Sequence, residues 1–111
     1  MDYALLIYVP EAWAEMSEEE RAALYDEYAK LRETPGFLGG AELAPVDSAV
    51  TVRVKGEETL ATDGPFADTK EIFGGYYLFS ADDIETVVDI AAKMPAARIG
   101  GSVEVRPILH R

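Results

Sequence analysis

The chain has 111 residues with 10 Lys and Arg against 21 Asp and Glu, which gives a formal net charge of -11. This length suits one domain with a single core, and we expect residues 1–111 to form it. The charge argues against nucleic acid or an anionic membrane as a partner, because each approach adds repulsion instead of releasing counterions. The chain has no cysteine, which excludes disulfide bonds, a thiolate nucleophile and cysteine-ligated zinc.

The first predicted element is a strand over residues 3–9, an apolar run without alternation that ends before Pro10. Such a run is typical of a strand covered on both faces. It lacks a basic leader and is too short to span a bilayer, so we expect a cytoplasmic protein. Residues 10–16 predict a single helical turn over the edge of the sheet, in which Trp13 either packs or, as the less favoured alternative, stacks on a ligand.

A helix is predicted to begin at Ser17, because Ser17 and Glu20 have the spacing of a capping box. Its apolar face is formed by residues at helical spacing: Leu24, Tyr28 and Leu31. Arg21 is assigned to the water side of this helix. Pro35 and Gly36 end the helical segment.

The middle of the chain predicts four short strands. Residues 37–43 form a strand weakened by glycines, and residues 50–54 and 59–62 form a β-hairpin. Residues 72–79 form a second strand that is apolar on both faces. We expect the hairpin to lead directly into the turn-rich segment 62–71.

A second helix is predicted after Asp82, which we expect to cap it with Glu85 at the third position. Its apolar stripe consists of Ile84, Val87, Val88 and Ala91. The final strand covers residues 102–106 and alternates, so Glu104 and Arg106 share one face. These two charges either form a cross-strand ion pair or bind a ligand.

The order strand, helix, strand, hairpin, strand, helix, strand predicts an α+β fold, a ferredoxin-like split βαβ arrangement with an extra β-hairpin. Two helices cover only one face of such a sheet, yet two strands are apolar on both faces. A second subunit is the simplest cover for the other face. We therefore expect a homodimer with the sheets facing inward, a dimeric α+β barrel with a cavity lined by tyrosines.

Segment 62–71 is the strongest candidate for chemistry. Asp63 and Gly64 form a tight-turn dipeptide in which Gly64 is expected at positive φ. Asp63 is the candidate catalytic residue, as a proton acceptor, or else it accepts hydrogen bonds from the turn amides while Lys70 and Glu71 pair locally. The candidate ligand-binding residues are Arg53, Phe66, Lys70, Tyr76, Glu104 and Arg106.

Several separated motifs carry a resemblance over nearly the whole chain. They are Asp-Gly-Pro-Phe at 63–66, Ala-Asp-Thr-Lys-Glu at 67–71, Gly-Gly-Tyr-Tyr at 74–77, Pro-Ala-Ala-Arg at 95–98 and Gly-Ser-Val-Glu-Val-Arg-Pro at 101–107. In this order they resemble the DGPF branch of the YCII-related family. The resemblance implies a small bacterial protein with a ferredoxin-like fold that dimerises through its sheet.

Enzymes of the wider YCII-related superfamily use a His-Asp pair as general acid or base, and this chain departs from that pattern. The early part of the first long helix, residues 17–24, contains no histidine, and Met94 stands before Pro95 where the family has Asp. The single histidine, His110, is expected to be solvated. No metal or cofactor is expected.

Three functions stay open from the sequence. The first is binding of a small molecule, or cofactor-independent catalysis, in the dimer cavity, as the resemblance implies. The second is an interaction module for an extracytoplasmic-function sigma factor, because DGPF relatives are often encoded beside such factors. The third is a structural homodimer without catalysis.

Overall fold

The computed structural model describes residues 1–64 and 70–110. Its strands are β1 (Asp2–Pro10), β2 (Phe37–Glu42), β3 (Val50–Lys55), β4 (Glu58–Asp63), β5 (Glu71–Ser80) and β6 (Ser102–Pro107). Its helices are α1 (Ala12–Glu15), α2 (Glu18–Leu31) and α3 (Ile84–Ala92), with single turns of 3-10 helix at Val46–Ser48 and Pro95–Ala97. This order confirms the predicted α+β class and the predicted hairpin.

Four strands form one antiparallel sheet in the order β2-β5-β1-β6. The two central strands are β1 and β5, which are the two strands predicted from uninterrupted apolar runs. Each half of the chain contributes a strand, a helix and a strand, so the sheet has the split βαβ topology of a ferredoxin-like fold. The predicted architecture of the single chain is confirmed.

The core lies between one face of this sheet and the helices. Leu5 and Phe79, from the central strands, are fully buried, as is Val87 of α3. Along β1 the buried residues alternate with partly exposed ones, so Leu6 and Tyr8 lie on the face away from the helices. The prediction that both faces of β1 are covered therefore holds for only one face within a single chain.

The N-terminus of α2 has the predicted capping box. The Glu20 amide donates to Ser17 Oγ at 3.1 Å, and the Ser17 amide donates to Glu20 Oε1 at 3.1 Å. The prediction for α3 is wrong by one residue, because Asp83 and not Asp82 is the cap. Asp83 accepts from both the amide and the hydroxyl of Thr86, at 2.8 and 2.7 Å, which favours this position.

The buried stripe of α3 shifts in the same way. Val87 and Ala91 are buried as predicted, and Ile90 joins them. Ile84 and Val88 were predicted to be buried but are exposed, because the sheet lies on the side of the helix that carries Ile90. The apolar residues of α3 are compatible with several rotations of the helix about its axis. Packing against the sheet determines which of these rotations occurs.

Strands β3 and β4 form a separate two-stranded sheet, called here the arm (residues 50–63). Gly56, at φ 63°, makes its turn, and Val50 is paired with Asp63 at its base. Gly64 has φ 104°, as predicted. Its amide donates to the Ala49 carbonyl at 2.7 Å, which closes the base of the arm.

Candidate functional site: an aromatic cavity between two helices and the sheet

A cavity of about 600 Å³ lies between α1, α2 and one end of the four-stranded sheet. Its floor comes from the ends of β1, β2 and β5, and segment 43–46 forms one side. This cavity lies on the helix face of the sheet. The site predicted from the sequence was on the opposite face, between two subunits.

Two glycines keep the floor of the cavity free of side chains. A Cβ at Gly75 would lie 2.7 Å from the Ala41 carbonyl oxygen, and a Cβ at Gly40 would collide with the Tyr76 carbonyl oxygen. No other residue fits at either position without moving the strand pair. The rows of large core side chains therefore stop before this end of the sheet, and the space above it stays open.

Aromatic rings form the wall of the cavity. Trp13 of α1 meets Tyr25 of α2 edge to face, with ring centroids 5.6 Å apart. Deeper in, Tyr28 meets Tyr77 in a similar arrangement at 6.1 Å. Trp13 was predicted to pack, and it does, but it also lines the cavity. The wall offers flat apolar surface of the kind that a planar ligand contacts.

A hydrogen-bond network fixes the inner tyrosines. The Tyr77 hydroxyl donates to the Tyr28 carbonyl at 2.9 Å, and the Tyr28 hydroxyl accepts from the Ala96 amide at 3.1 Å. Arg32 Nε donates to the Tyr77 hydroxyl at 3.2 Å. Burial raises the pKa of Tyr28, so this phenol stays neutral near pH 7. These bonds hold the inner wall in one arrangement.

Two arginines line the same cavity, Arg21 and Arg32. Arg21 Nη1 donates to the carbonyls of Trp13 and Ala14 at 3.1 and 3.4 Å, which ties the end of α1 to α2. Within residues 1–64 and 70–110, the ion pairs join Arg98 to Glu27, Arg106 to Glu104 and His110 to Asp2. Neither cavity arginine therefore has a carboxylate partner in the described part of the chain.

A phenol and a carboxylate stand at the outer part of the cavity. Burial, followed by a hydrogen bond to the Glu42 carboxylate, raises the pKa of Tyr25. The hydroxyl therefore keeps its proton near neutral pH and acts as a donor. Its proton is directed to Glu42, so the two guanidinium groups are the donors that the cavity presents to an oxygen-bearing ligand.

The residues predicted for the site lie elsewhere. Tyr76 and Glu104 are both in the row of Leu6, on the sheet face away from the helices. Arg106 Nε donates to Glu104 Oε2 at 2.7 Å, so the predicted cross-strand ion pair is instead a pair within β6. Residues 104 and 106 are neighbours on one face of β6, so their side chains meet without reaching across to another strand.

The other predicted residues that the structure describes lie on the arm or next to β5. Arg53 lies on the arm, Asp63 at its base, and Lys70 is exposed before β5. Phe66 falls outside the described residues. Among the described candidates, the structure brings together Tyr76, Glu104 and Arg106, and none of them lines the cavity.

The sequence does contain a signal for the cavity. Arg21, Tyr25, Tyr28 and Arg32 recur at helical spacing on one side of α2 and its end. The prediction placed Arg21 on the water side because it weighed only the apolar residues. The combination of arginine and tyrosine at helical spacing would have identified this side of α2 as the side that lines a cavity.

Residues 1–64 and 70–110 contain neither a metal-binding cluster nor a membrane-spanning helix. No cluster of His, Asp and Glu there is arranged to hold a metal ion. None of the helices in this described part is both long and apolar enough to cross a membrane.

Three comparisons bear on the whole chain. The model of the YCII-related domain matches residues 1–110. An uncharacterized protein of Rhizobium meliloti (strain 1021) is 38% identical over 116 residues, which cover 97% of this chain and 92% of that protein.

Among solved structures, the fold is similar to that of 5-chloro-2-hydroxyhydroquinone dehydrochlorinase from Burkholderia phenoliruptrix AC1100, determined in complex with 2,5-dihydroxybenzoquinone. The TM-score is 0.56, and the match covers 100% of this chain and 96% of that one. Sequence identity is 14%, so this likeness concerns the fold alone.

Proposed function

The chain belongs to the YCII-related family, and from that premise we propose that it binds a small planar molecule with acidic oxygens in the cavity between α1, α2 and the sheet. One observation carries the proposal. An aromatic-walled cavity contains two arginines that have no carboxylate partner among the described residues. Glu11 and Glu42 also line the cavity, but neither is paired with these arginines, so an acidic oxygen of a ligand would give a guanidinium group its partner.

The size and lining of the cavity support this class of ligand. Its volume of about 600 Å³ lies within the usual range for small-molecule sites. A flat ring would stack against Trp13 and Tyr25, while Arg32, whose Nε lies beside the Tyr77 hydroxyl, would neutralise an acidic oxygen. Arginine suits this task because its planar group donates two parallel hydrogen bonds to an anion.

The structural neighbour supplies a probe for the proposal. That structure was determined in complex with 2,5-dihydroxybenzoquinone, a planar ring that carries acidic oxygens. A molecule of this size fits the cavity, and its chemistry matches the donors there. We use it as the representative of its class and not as the physiological ligand.

The homodimer predicted from the sequence is retained as part of the proposal. It is supported by the sheet face opposite the helices, where Leu6, Tyr76 and Leu78 are only partly buried within one chain. Catalysis by Asp63, a ligand at the interface between two sheets, a sigma-factor partner and a purely structural dimer stay predictions. The cavity provides the more direct basis for a function.

The proposal predicts that Arg32→Gln weakens binding of 2,5-dihydroxybenzoquinone at least tenfold. A hydrogen bond to a charged group contributes about 1.5–3 kcal/mol, and each 1.4 kcal/mol or so is a factor of ten in Kd. Binding is measured by calorimetry and by the shift in melting temperature. Arg21→Gln is the second test within the cavity.

Arg106→Gln is the matched control, because it removes the same charge from the opposite face of the sheet. It should leave Kd unchanged. The melting temperature of each variant without ligand separates lost binding from lost folding, since Arg32 also donates to Tyr77. If Arg106→Gln weakens binding and Arg32→Gln does not, the ligand occupies the sheet face and the cavity proposal is wrong.

A further inference from the structure

The arm presents an apolar face to solvent. Val50, Val52 and Val54 are 57%, 61% and 69% exposed, and their side chains point to one side of β3. Every side chain of the arm except Thr51 is exposed. The opposite side of β3 carries Thr51, Arg53 and Lys55, so this strand has one apolar and one polar face.

The apolar face of such an arm requires a packing partner. A two-stranded hairpin is marginally stable at best in water unless its apolar face packs against something. Valine favours strands because it packs on a half-buried pleated surface, and here the valine side chains stay exposed, with no strand of the described residues packed over them. The arm is hydrogen-bonded to no strand of the four-stranded sheet in residues 1–64 and 70–110.

The same chain has a second uncovered apolar surface. The open sheet face, defined here as Leu6, Tyr8, Phe73, Tyr76 and Leu78, lies opposite the helices. Tyr8 and Phe73 contact each other there, with ring centroids 5.5 Å apart. Phe73 is 39% exposed, and the other four are only partly buried.

We propose that the arm lays its valine face against the open sheet face of a second copy of this chain, so that two copies exchange arms around a two-fold axis. In this reciprocal contact, the valine face of each arm packs on the open sheet face of the other chain. Both apolar surfaces of both chains are then covered, and the two-fold symmetry limits the assembly to a dimer. The inference rests on the proposed homodimer and names what holds it together.

Charge favours the arm as the contact between two acidic chains. At a net charge of -11 each, two copies repel one another over most of their surface. The arm carries Arg53 and Lys55 against Glu57, Glu58 and Asp63, so it is close to neutral. Its valine face carries a single charge, Asp63, which lies opposite Val50 at the base of the arm.

The test compares Val52→Asp with Thr62→Asp by light scattering after size-exclusion chromatography. Both variants add one negative charge to the middle of the arm, but on opposite faces. We expect a dimer for the wild type and for Thr62→Asp, and a monomer for Val52→Asp. Circular dichroism should show the same secondary structure in all three, because residue 52 is exposed within each chain.

Trypsin provides a second readout, since Arg53 and Lys55 are cleavage sites inside the arm. Cleavage there should be slow in the wild-type dimer, faster on dilution, and fast at every concentration in Val52→Asp. An arm that is cut equally fast in all three proteins would overturn the inference. So would a Val52→Asp variant that remains a dimer.

Deletion of the arm separates this inference from the homodimer itself. Because Val50 and Asp63 are paired, residues 51–62 can be replaced by a short glycine turn without opening the base. We expect this deletion to be monomeric. A dimer that survives the deletion overturns the exchange of arms and leaves the homodimer standing, whereas a monomeric wild type overturns both.

Discussion

Replacement of Phe79 with alanine should lower the free energy of unfolding by about 3–5 kcal/mol, the usual cost of removing a buried aromatic side chain. Phe79 is fully buried in β5, where its ring contacts Phe37 with centroids 5.5 Å apart. The surrounding strand residues are held by the sheet and cannot collapse fully into the space. Urea denaturation measures the loss as a lower midpoint with an unchanged slope.

Val88→Ala is the matched control for this prediction. Val88 lies on α3 but is 49% exposed, so its truncation should change stability by no more than about 0.5 kcal/mol. The sequence predicted Val88 to be part of the core, and the structure places Ile90 there instead. A large loss for Val88→Ala, with little loss for Phe79→Ala, would contradict the placement of α3.

Val9→Trp should abolish ligand binding without destabilising the chain, because the added indole fills existing space. Val9 lies at the end of β1 and lines the cavity, beyond the register shift between Ile7 and Tyr8. We expect Kd for 2,5-dihydroxybenzoquinone to rise more than tenfold while the melting temperature stays the same or increases. Filling a void adds contacts in place of the ligand.

Val88→Trp adds the same bulk outside the cavity and should leave Kd unchanged. Calorimetry on both variants, together with the melting temperature of each, checks the prediction. Undiminished binding by a stable Val9→Trp variant would show that the ligand does not occupy the cavity.

Local patterns in the sequence predicted most of the fold. The apolar runs of β1 and β5 and the alternation of β3 each specify a strand, and Ser17 with Glu20 specifies the start of α2. These features depend on residues close together in the chain. The start of α3 was wrong by one residue because Asp82 and Asp83 are adjacent, and only the contact with Thr86 distinguishes them.

The cavity could not be predicted in the same way. It exists because Gly40 and Gly75, which lie far apart in sequence, leave the same end of the sheet bare. Around Asp63, in contrast, the charged residues are close together along the chain. Arg53 lies on the arm, outside the four-stranded sheet, and does not line the cavity. Residues that are close in sequence are therefore not close to the cavity in the structure.

The ferredoxin-like fold was predicted from the sequence and is observed in the structure. The order of strands and the YCII-related family are confirmed. The DGPF branch and the dimeric barrel stay predictions, and light scattering on the wild-type chain tests whether it forms a dimer at all. The cytoplasmic location also stays a prediction.

The central claim is that the cavity between α1, α2 and the sheet is the ligand site. Its most direct test is titration of the isotope-labelled chain with 2,5-dihydroxybenzoquinone, followed by amide chemical-shift mapping. We predict that the largest shifts occur at Trp13, Tyr25 and Gly75, with the amides of Arg53 and Arg106 unchanged. Shifts confined to the open sheet face and the base of the arm, with the cavity amides unmoved, would contradict the claim.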